Sequence, residues 1–439
     1  MNLSHTEFDA WEQALPAFDG TLEADSPRLA ADVAVGERTL AALGPKPGRD
    51  AGQAELALRV HRRCRRARKA FLRRHAGALF ARLASTDGSH QPLSELALRA
   101  SELCPGLVPT RRQLAQEAEY TQADKEGREI DQGLLFGALL AVPEVGCEIV
   151  RRMLRPSAKA LALLARFRQE GELTIGALHL ERRGHVAYLT FNNRDCLNAE
   201  DNALIDSMET AVDLALLDDS VHVGVLRGGR MDHPRYRGRR VFSAGINLKH
   251  LHRGQLSYTD FLLRREFGYI NKMLCGLAPR EEGEAGREIP WIAAVDSFAI
   301  GGGAQIVLAC DRVIAAADSY FSLPAAQEGI VPGAANLRLA RRTNGSLARQ
   351  IILYGRRVQA HEEDARLLFD EVVAPEAMDE AIAACAAALD SPAVIPNRRM
   401  LKLAEEPLEA FRAYMARFAV EQAERLYSED VLNKVRPSA

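Results

Sequence analysis

Two hydrophobic rhythms divide the chain. From about residue 25 to 170, apolar positions recur with a helical period, and Pro and Gly interrupt them near 45–52, 87–92 and 105–109. This pattern predicts helix after helix. Near residue 173 the rhythm shortens. The runs 178–181 and 186–191 flank Arg182-Arg183-Gly184-His185 and predict a hairpin. Residues 199–217 return to helical spacing, while 221–227, 291–295 and 313–316 are short strand-like runs, and Phe321-Ser322-Leu323-Pro324 opens a turn. From about 381 helices resume, ending in an amphipathic run over 408–427. Strands alternating with helices predict an α/β fold of ββα units with parallel sheets. The expected units are an all-helical N-terminal domain over 1–172, an α/β core over 173–380 and a helical C-terminal segment over 381–439. The stretch 279–288, rich in Glu, Gly and Arg, is expected to be an exposed loop.

Composition sharpens this only modestly. The chain has 439 residues, 47% of them hydrophobic and 26% charged, with net charge −2, which suits a globular protein and offers no global field for nucleic acid or an anionic membrane. The basic run His61-Arg62-Arg63-Cys64-Arg65-Arg66-Ala67-Arg68-Lys69 lacks interleaved aromatics. With Leu58, Phe71, Leu72 and Leu79 at helical spacing, it reads as a solvated helix face or one turned to a neighbouring subunit. Seven scattered cysteines without CxxC pairs, an N-terminus without a basic and apolar leader pattern, and no apolar run long enough to span a bilayer lead us to expect reduced thiols and a cytoplasmic setting.

Two short stretches carry candidate chemistry. Phe242-Ser243-Ala244-Gly245-Ile246-Asn247-Leu248 is a strand end followed by small residues, and Ile300-Gly301-Gly302-Gly303-Ala304-Gln305 is a Gly-rich turn opening a helix. Such a pair can aim two backbone N–H groups at one oxygen, and each donor stabilises a developing oxyanion by roughly 3 kcal/mol. These stretches resemble the enoyl-CoA hydratase/isomerase (crotonase) superfamily. So do Asn192-Asn193-Arg194-Asp195-Cys196-Leu197-Asn198-Ala199, the run from Ile289 to Ile300, Cys310-Asp311, Ile330-Val331-Pro332-Gly333 and Ser428-Glu429-Asp430-Val431. The resemblance implies a crotonase-like core that binds an acyl-CoA thioester, with the Ile246 and Gly302 amides gripping its carbonyl. Ala244, Gly245, Asn247, Leu248, Lys249, Gly301 and Gly303 are the neighbours expected to line that pocket. Arg194 and His233 are candidates for the CoA end, where a cation meets phosphate.

The departures from the family pattern are chemically pointed. Where the hydratases carry two Glu residues, this sequence has Gln305 and Ala325, and neither an amide nor a methyl group can move protons at neutral pH. Hydratase activity is therefore not expected. Glu200, Arg265 and Gln305, together with the long helical extension and the inserted loop 233–240, resemble one branch of the superfamily: metal- and cofactor-independent dioxygenases of glycopeptide antibiotic biosynthesis, acting on an arylacetyl-CoA and O2. That resemblance implies no cofactor, recognition of ring hydroxyls by Glu200, Arg265 and Gln305, a contribution from Gln422 and a homohexamer. Read without it, Glu200 is equally a charge at a helix start and Arg265 a solvated helix residue. His250-Leu251-His252 places two imidazoles poorly for one helix face, and no third ligand lies at a telling spacing, so no catalytic metal is expected.

Overall fold

The computed structural model describes residues 5–85, 88–279 and 286–435. Residues 280–285 of the expected exposed loop lie outside them. The hairpin forms where its pattern predicts, as β2 (Leu178–Arg183) and β3 (Val186–Phe191), with side chains alternating between core and partly open positions. It belongs to a seven-stranded sheet with β1 (Glu172–Ile175), β4 (Val223–Gly228), β5 (Trp291–Val295), β7 (Arg312–Ala316) and β10 (Glu371–Val373), in the order β1-β2-β3-β4-β5-β7-β10. From β3 onward the pairings are parallel. Every residue of β5 is buried, the continuous apolar run expected when helices cover both faces.

A second sheet of β6 (Phe298–Ile300), β8 (Tyr320–Ser322) and β9 (Val358–Gln359) lies in the order β6-β8-β9. The segment 289–300, which looks like one strand in sequence, divides at Ser297. That residue has φ +60°, and its hydroxyl donates to Arg240 O at 2.7 Å. The chain thereby steps from the large sheet to the small one, which sets the Gly301–Gly303 turn beside the loop after β3. β10 escaped the sequence pattern because its residues are largely exposed; edge pairing to β7, not burial, makes it a strand.

The N-terminal helices stop and start at the predicted breaks: Leu22–Leu43, Ala51–Leu83 and Leu93–Leu103 are separated by the Pro- and Gly-containing segments. Asp50 caps the longest through a reciprocal box with Gln53. The basic run is not a solvated face. His61, Arg63 and Arg68 are buried, with Arg63 paired to Asp32 at 2.8 Å and Arg68 to Asp131 at 2.9 Å. Arg62, Arg66 and Lys69 face outward, and Leu58, expected on the apolar side, is 40% exposed. Acidic residues remote in sequence decide which basic residues enter the interior.

Helix Leu408–Arg425 packs along helix Glu129–Ala141. A Cβ on Gly133 would stand 2.5 Å from the Ala423 Cβ, and one on Gly137 2.5 Å from the Val420 Cγ2. Glycine at these two positions permits the close approach. The C-terminal helix thus rests on the chain's own N-terminal helices.

Candidate active site

The segment 242–247, expected to begin as a strand end, makes only isolated bridges, Ser243 to Ala299 and Ile246 to Glu200, and is tied to the loop after β3 by hydrogen bonds. Asn198, at φ +56°, donates its side-chain amide to Val241 O at 2.7 Å, and Ser243 donates its hydroxyl to Asn198 O at 2.9 Å. Glu200 N donates to Gly245 O and Asn247 N to Glu200 O. Ile300 N donates to Ser243 O at 3.0 Å, so the Gly turn is held against the same segment. A Cβ on Gly245 would lie 3.1 Å from Gly302 N. Gly245, at φ +88°, therefore needs to be glycine both for its conformation and for space.

Among the described residues, neither Ile246 N–H nor Gly302 N–H donates to a protein acceptor. Both residues line one cavity. Gly302 is the first residue of helix Gly302–Val307, where amides lack an intrahelical acceptor and the helix dipole favours negative charge. The cavity is thus bordered by two residues whose main-chain donors are free for a bound acceptor.

A buried charged network stands directly behind this turn. Arg265 donates Nε to both oxygens of Glu200 at 3.1 Å, Nη1 to Glu266 and to Gln305 Oε1 at 2.7 Å each, and Nη2 to Gly302 O at 2.6 Å. Tyr269 OH donates to Glu200 Oε1 at 2.6 Å, and Glu266 Oε2 accepts from Ala334 N at 3.0 Å. Burial alone would lower the Arg265 pKa, but the acidic groups of Glu200, Tyr269 and Glu266 hold it above the ordinary arginine value. Burial raises the Tyr269 hydroxyl well above its usual pKa, so it remains a donor. A Cβ on Gly302 would lie 1.8 Å from Glu200 Oε2, which fixes glycine there.

The cavity in front is mostly apolar, walled by Leu248, Leu251, Leu256, Leu262, Leu323 and Leu426, among others. Its amide side chains are Gln122, Gln305 and Gln422. Arg265 holds the Gln305 carbonyl and Val331 N donates to Gln422 Oε1 at 2.8 Å. Gln305 and Gln422 therefore have their NH2 donors left for the cavity, whereas Gln122 donates its own to Leu426 O at 3.3 Å. Ala325 lines it too, and Glu328 is its carboxylate.

The predicted residues divide into four groups. Ala244, Ile246, Leu248, Gly301, Gly302, Gln305 and Gln422 line the cavity. Glu200 and Arg265 are buried behind the Gly turn, bonded to one another; they are neither a helix-start charge nor solvated. Gly303 packs on Ser243, Asn247 caps helix Leu248–His252, and Lys249 is exposed. Arg194 lies 3.8 Å from Asp232, next to His233, whose Nδ1 accepts from Arg235 N; this brings the two candidate CoA-end residues together. Sequence reasoning missed Gln122, Glu266 and Tyr269. For Tyr269 a signal was present, since it follows Arg265 by four residues, the spacing of helical neighbours.

Residues 181–422, which hold this core and most of the cavity lining, match the family model described as enoyl-CoA hydratase/isomerase. The chain belongs to that family. It is 53% identical over 424 residues, 94% of this chain and 98% of the relative, to the (3,5-dihydroxyphenyl)acetyl-CoA 1,2-dioxygenase of Amycolatopsis orientalis. A probable enoyl-CoA hydratase of Rhizobium meliloti is 31% identical over 47% of this chain and 73% of its own length. Among solved structures, an enoyl-CoA hydratase from Mycobacterium avium subsp. paratuberculosis superposes with a TM-score of 0.50 at 23% identity, covering 60% of this chain and 99% of that one. That likeness concerns the fold.

Proposed function

We propose that this protein is a dioxygenase that converts (3,5-dihydroxyphenyl)acetyl-CoA and O2 into 3,5-dihydroxyphenylglyoxylate and free CoA, using no metal or organic cofactor. The observation that carries this reading is the pair of unengaged amides, Ile246 N–H and Gly302 N–H, on residues that line one apolar cavity. The near full-length likeness to the Amycolatopsis enzyme supports the substrate, and the amide and methyl groups at Gln305 and Ala325 speak against hydration.

With the thioester oxygen between the two amides, loss of the α-proton gives an enolate that the aryl ring delocalises further. The enolate passes one electron to O2. Recombination of the radical pair forms a C–O bond at the α-carbon. The resulting peroxide attacks the thioester carbonyl, CoA leaves as the thiol, and the O–O bond breaks as the ketone forms. One thioester and one O2 then account for all atoms of the keto acid and thiol, with no external reductant. Arg265 holds the Gly302 carbonyl and the Gln305 amide in place, so the donors that meet the oxyanion and the ring are set before substrate arrives. Arg194 and His233 are assigned to the CoA phosphates. In the antibiotic branch that the motifs resemble, the keto acid feeds dihydroxyphenylglycine supply. A cytoplasmic setting suits the unpaired cysteines.

A homohexamer is proposed as well, supported by helix Val394–Glu405, which leaves Met400, Leu401 and Leu403 each at least 60% exposed. Light scattering giving six chains per particle supports it, and a monomer overturns it. The activity is tested by incubating chelator-treated protein with the arylacetyl-CoA. Oxygen uptake equal to thiol release is expected. Thiol release under nitrogen, or no oxygen uptake in air, overturns the proposal.

A further inference from the structure

At the opposite ends of the central strands from the cavity, His185, His222 and Asp390 converge, with one candidate ligand atom from each lying within 4.8 Å of the others. The His185 Nδ1 is 3.0 Å from Asp390 Oδ2 and the His222 Nδ1 is 2.7 Å from Asp390 Oδ1. The imidazole centroids are 4.1 Å apart. None of the three takes part in the chemistry derived above.

We propose that this trio is a binding site for a divalent transition cation of the zinc type. The argument rests on how the three residues are held. His185 and His222 immediately precede the paired residues Val186 and Val223 of parallel strands, and both His222 N and Val223 N donate to His185 O, at 2.8 and 3.2 Å. The imidazoles are thus fixed side by side by main chain. Asp390 ends helix Met378–Leu389, whose Met378, Ala381, Ile382 and Ala386 pack on Val223 and Val225 of β4. Two imidazoles and one carboxylate are the donor set zinc accepts. Tetrahedral coordination needs ligand atoms about 3.3 Å apart at metal–ligand distances near 2.0–2.1 Å, so the two imidazole–carboxylate contacts would open by about half an ångström and the imidazole nitrogens, within 4.8 Å of each other, would settle at the same spacing. The metal then takes the place of the hydrogens between imidazole and carboxylate, and partial exposure of all three residues leaves the fourth position to water. The site would staple the β2–β3 turn and the start of β4 to the end of a helix from the distant C-terminal region.

The test is calorimetric titration of chelator-treated protein with zinc chloride, with cobalt(II) absorption as a second readout of coordination. One equivalent per chain is expected, with a tetrahedral cobalt spectrum. His222→Ala and Asp390→Asn should each weaken binding by at least about 100-fold, more than loss of an outer-sphere partner does. Oxygen uptake should be unchanged in both variants, and zinc should raise the thermal midpoint of the wild type alone. Absence of binding to the wild type at millimolar zinc, or equal binding by a His185→Ala/His222→Ala double variant, overturns the proposal.

Discussion

The two walls of the cavity are built by opposite strategies. The floor, at 243–247 and 300–305, is main chain held by main chain, with a fully bonded charge network behind it. The roof is made of side chains from distant parts of the sequence: Gln122 from a turn of the N-terminal region, and Gln422, Leu426 and Val431 from the C-terminal helices and the turn between them. These are joined by the close approach of Gly133 and Gly137 to helix Leu408–Arg425. Tyr258 OH to Ala419 O and Tyr427 OH to Glu129, both 2.5 Å, add polar ties. In the proposed reaction charge develops at the floor, which must not move, and the roof determines what fits. Changes in the floor should therefore act on kcat, and changes in the roof on KM and stability.

The largest effect is expected from Arg265→Met, which leaves Glu200 and Glu266 buried without their cation. Urea unfolding should show a loss of about 3–5 kcal/mol together with loss of turnover; a stable, active variant would mean that the floor does not depend on the network. Next comes Gly302→Ala. The added methyl falls on Glu200 Oε2, and oxygen uptake should drop about 10²–10³-fold, the cost of one oxyanion donor, with little change in KM. Tyr269→Phe removes one donor to Glu200; about 2 kcal/mol of stability should go with it, as for a hydrogen bond to a charged group.

In the roof, Gly133→Val should cost about 1–3 kcal/mol through overpacking, and should raise KM more than it lowers kcat. The reverse split would erase the distinction between the walls. The remaining effect is a gain. Burial, reinforced by nearby Glu129, pushes the Glu117 carboxyl up to about 7 from 4.5. The folded state therefore holds this proton more tightly than the unfolded chain does. Stability should fall as pH rises from about 4.5 through 7 and then level off. Glu117→Gln should flatten that slope and leave the variant more stable than wild type at pH 8, as read from thermal midpoints across pH.

Much of the floor was legible because its information is local. Small residues after a strand and a Gly-rich helix start can hardly be arranged otherwise, and the family motifs stand at readable spacing. The hairpin at 178–191 and the N-terminal breaks were legible for a similar reason, since turn chemistry and helix punctuation act over a few residues. Glu266 was not, and Tyr269 only through its four-residue spacing from Arg265. They sit in a stretch that resembles an ordinary helix, whereas the structure forms π-helical turns there, with Gly268 at ψ −114°. The wider turns redirect side chains away from 3.6-residue periodicity. The basic run misled because its Asp32, Glu126 and Asp131 partners lie elsewhere in the sequence.

By itself, the amino-acid order determined the α/β class, the two amide donors and the absence of the hydratase carboxylates, because backbone conformation and side-chain chemistry are short-range properties. Only the tertiary structure decided that Glu200 and Arg265 stand behind the Gly turn, that the amide groups of Gln305 and Gln422 are turned toward the cavity, and that the chain's two ends close over it. Those outcomes depend on which groups meet after burial, where an unpaired charge or carbonyl is costly, and no local pattern encodes such meetings.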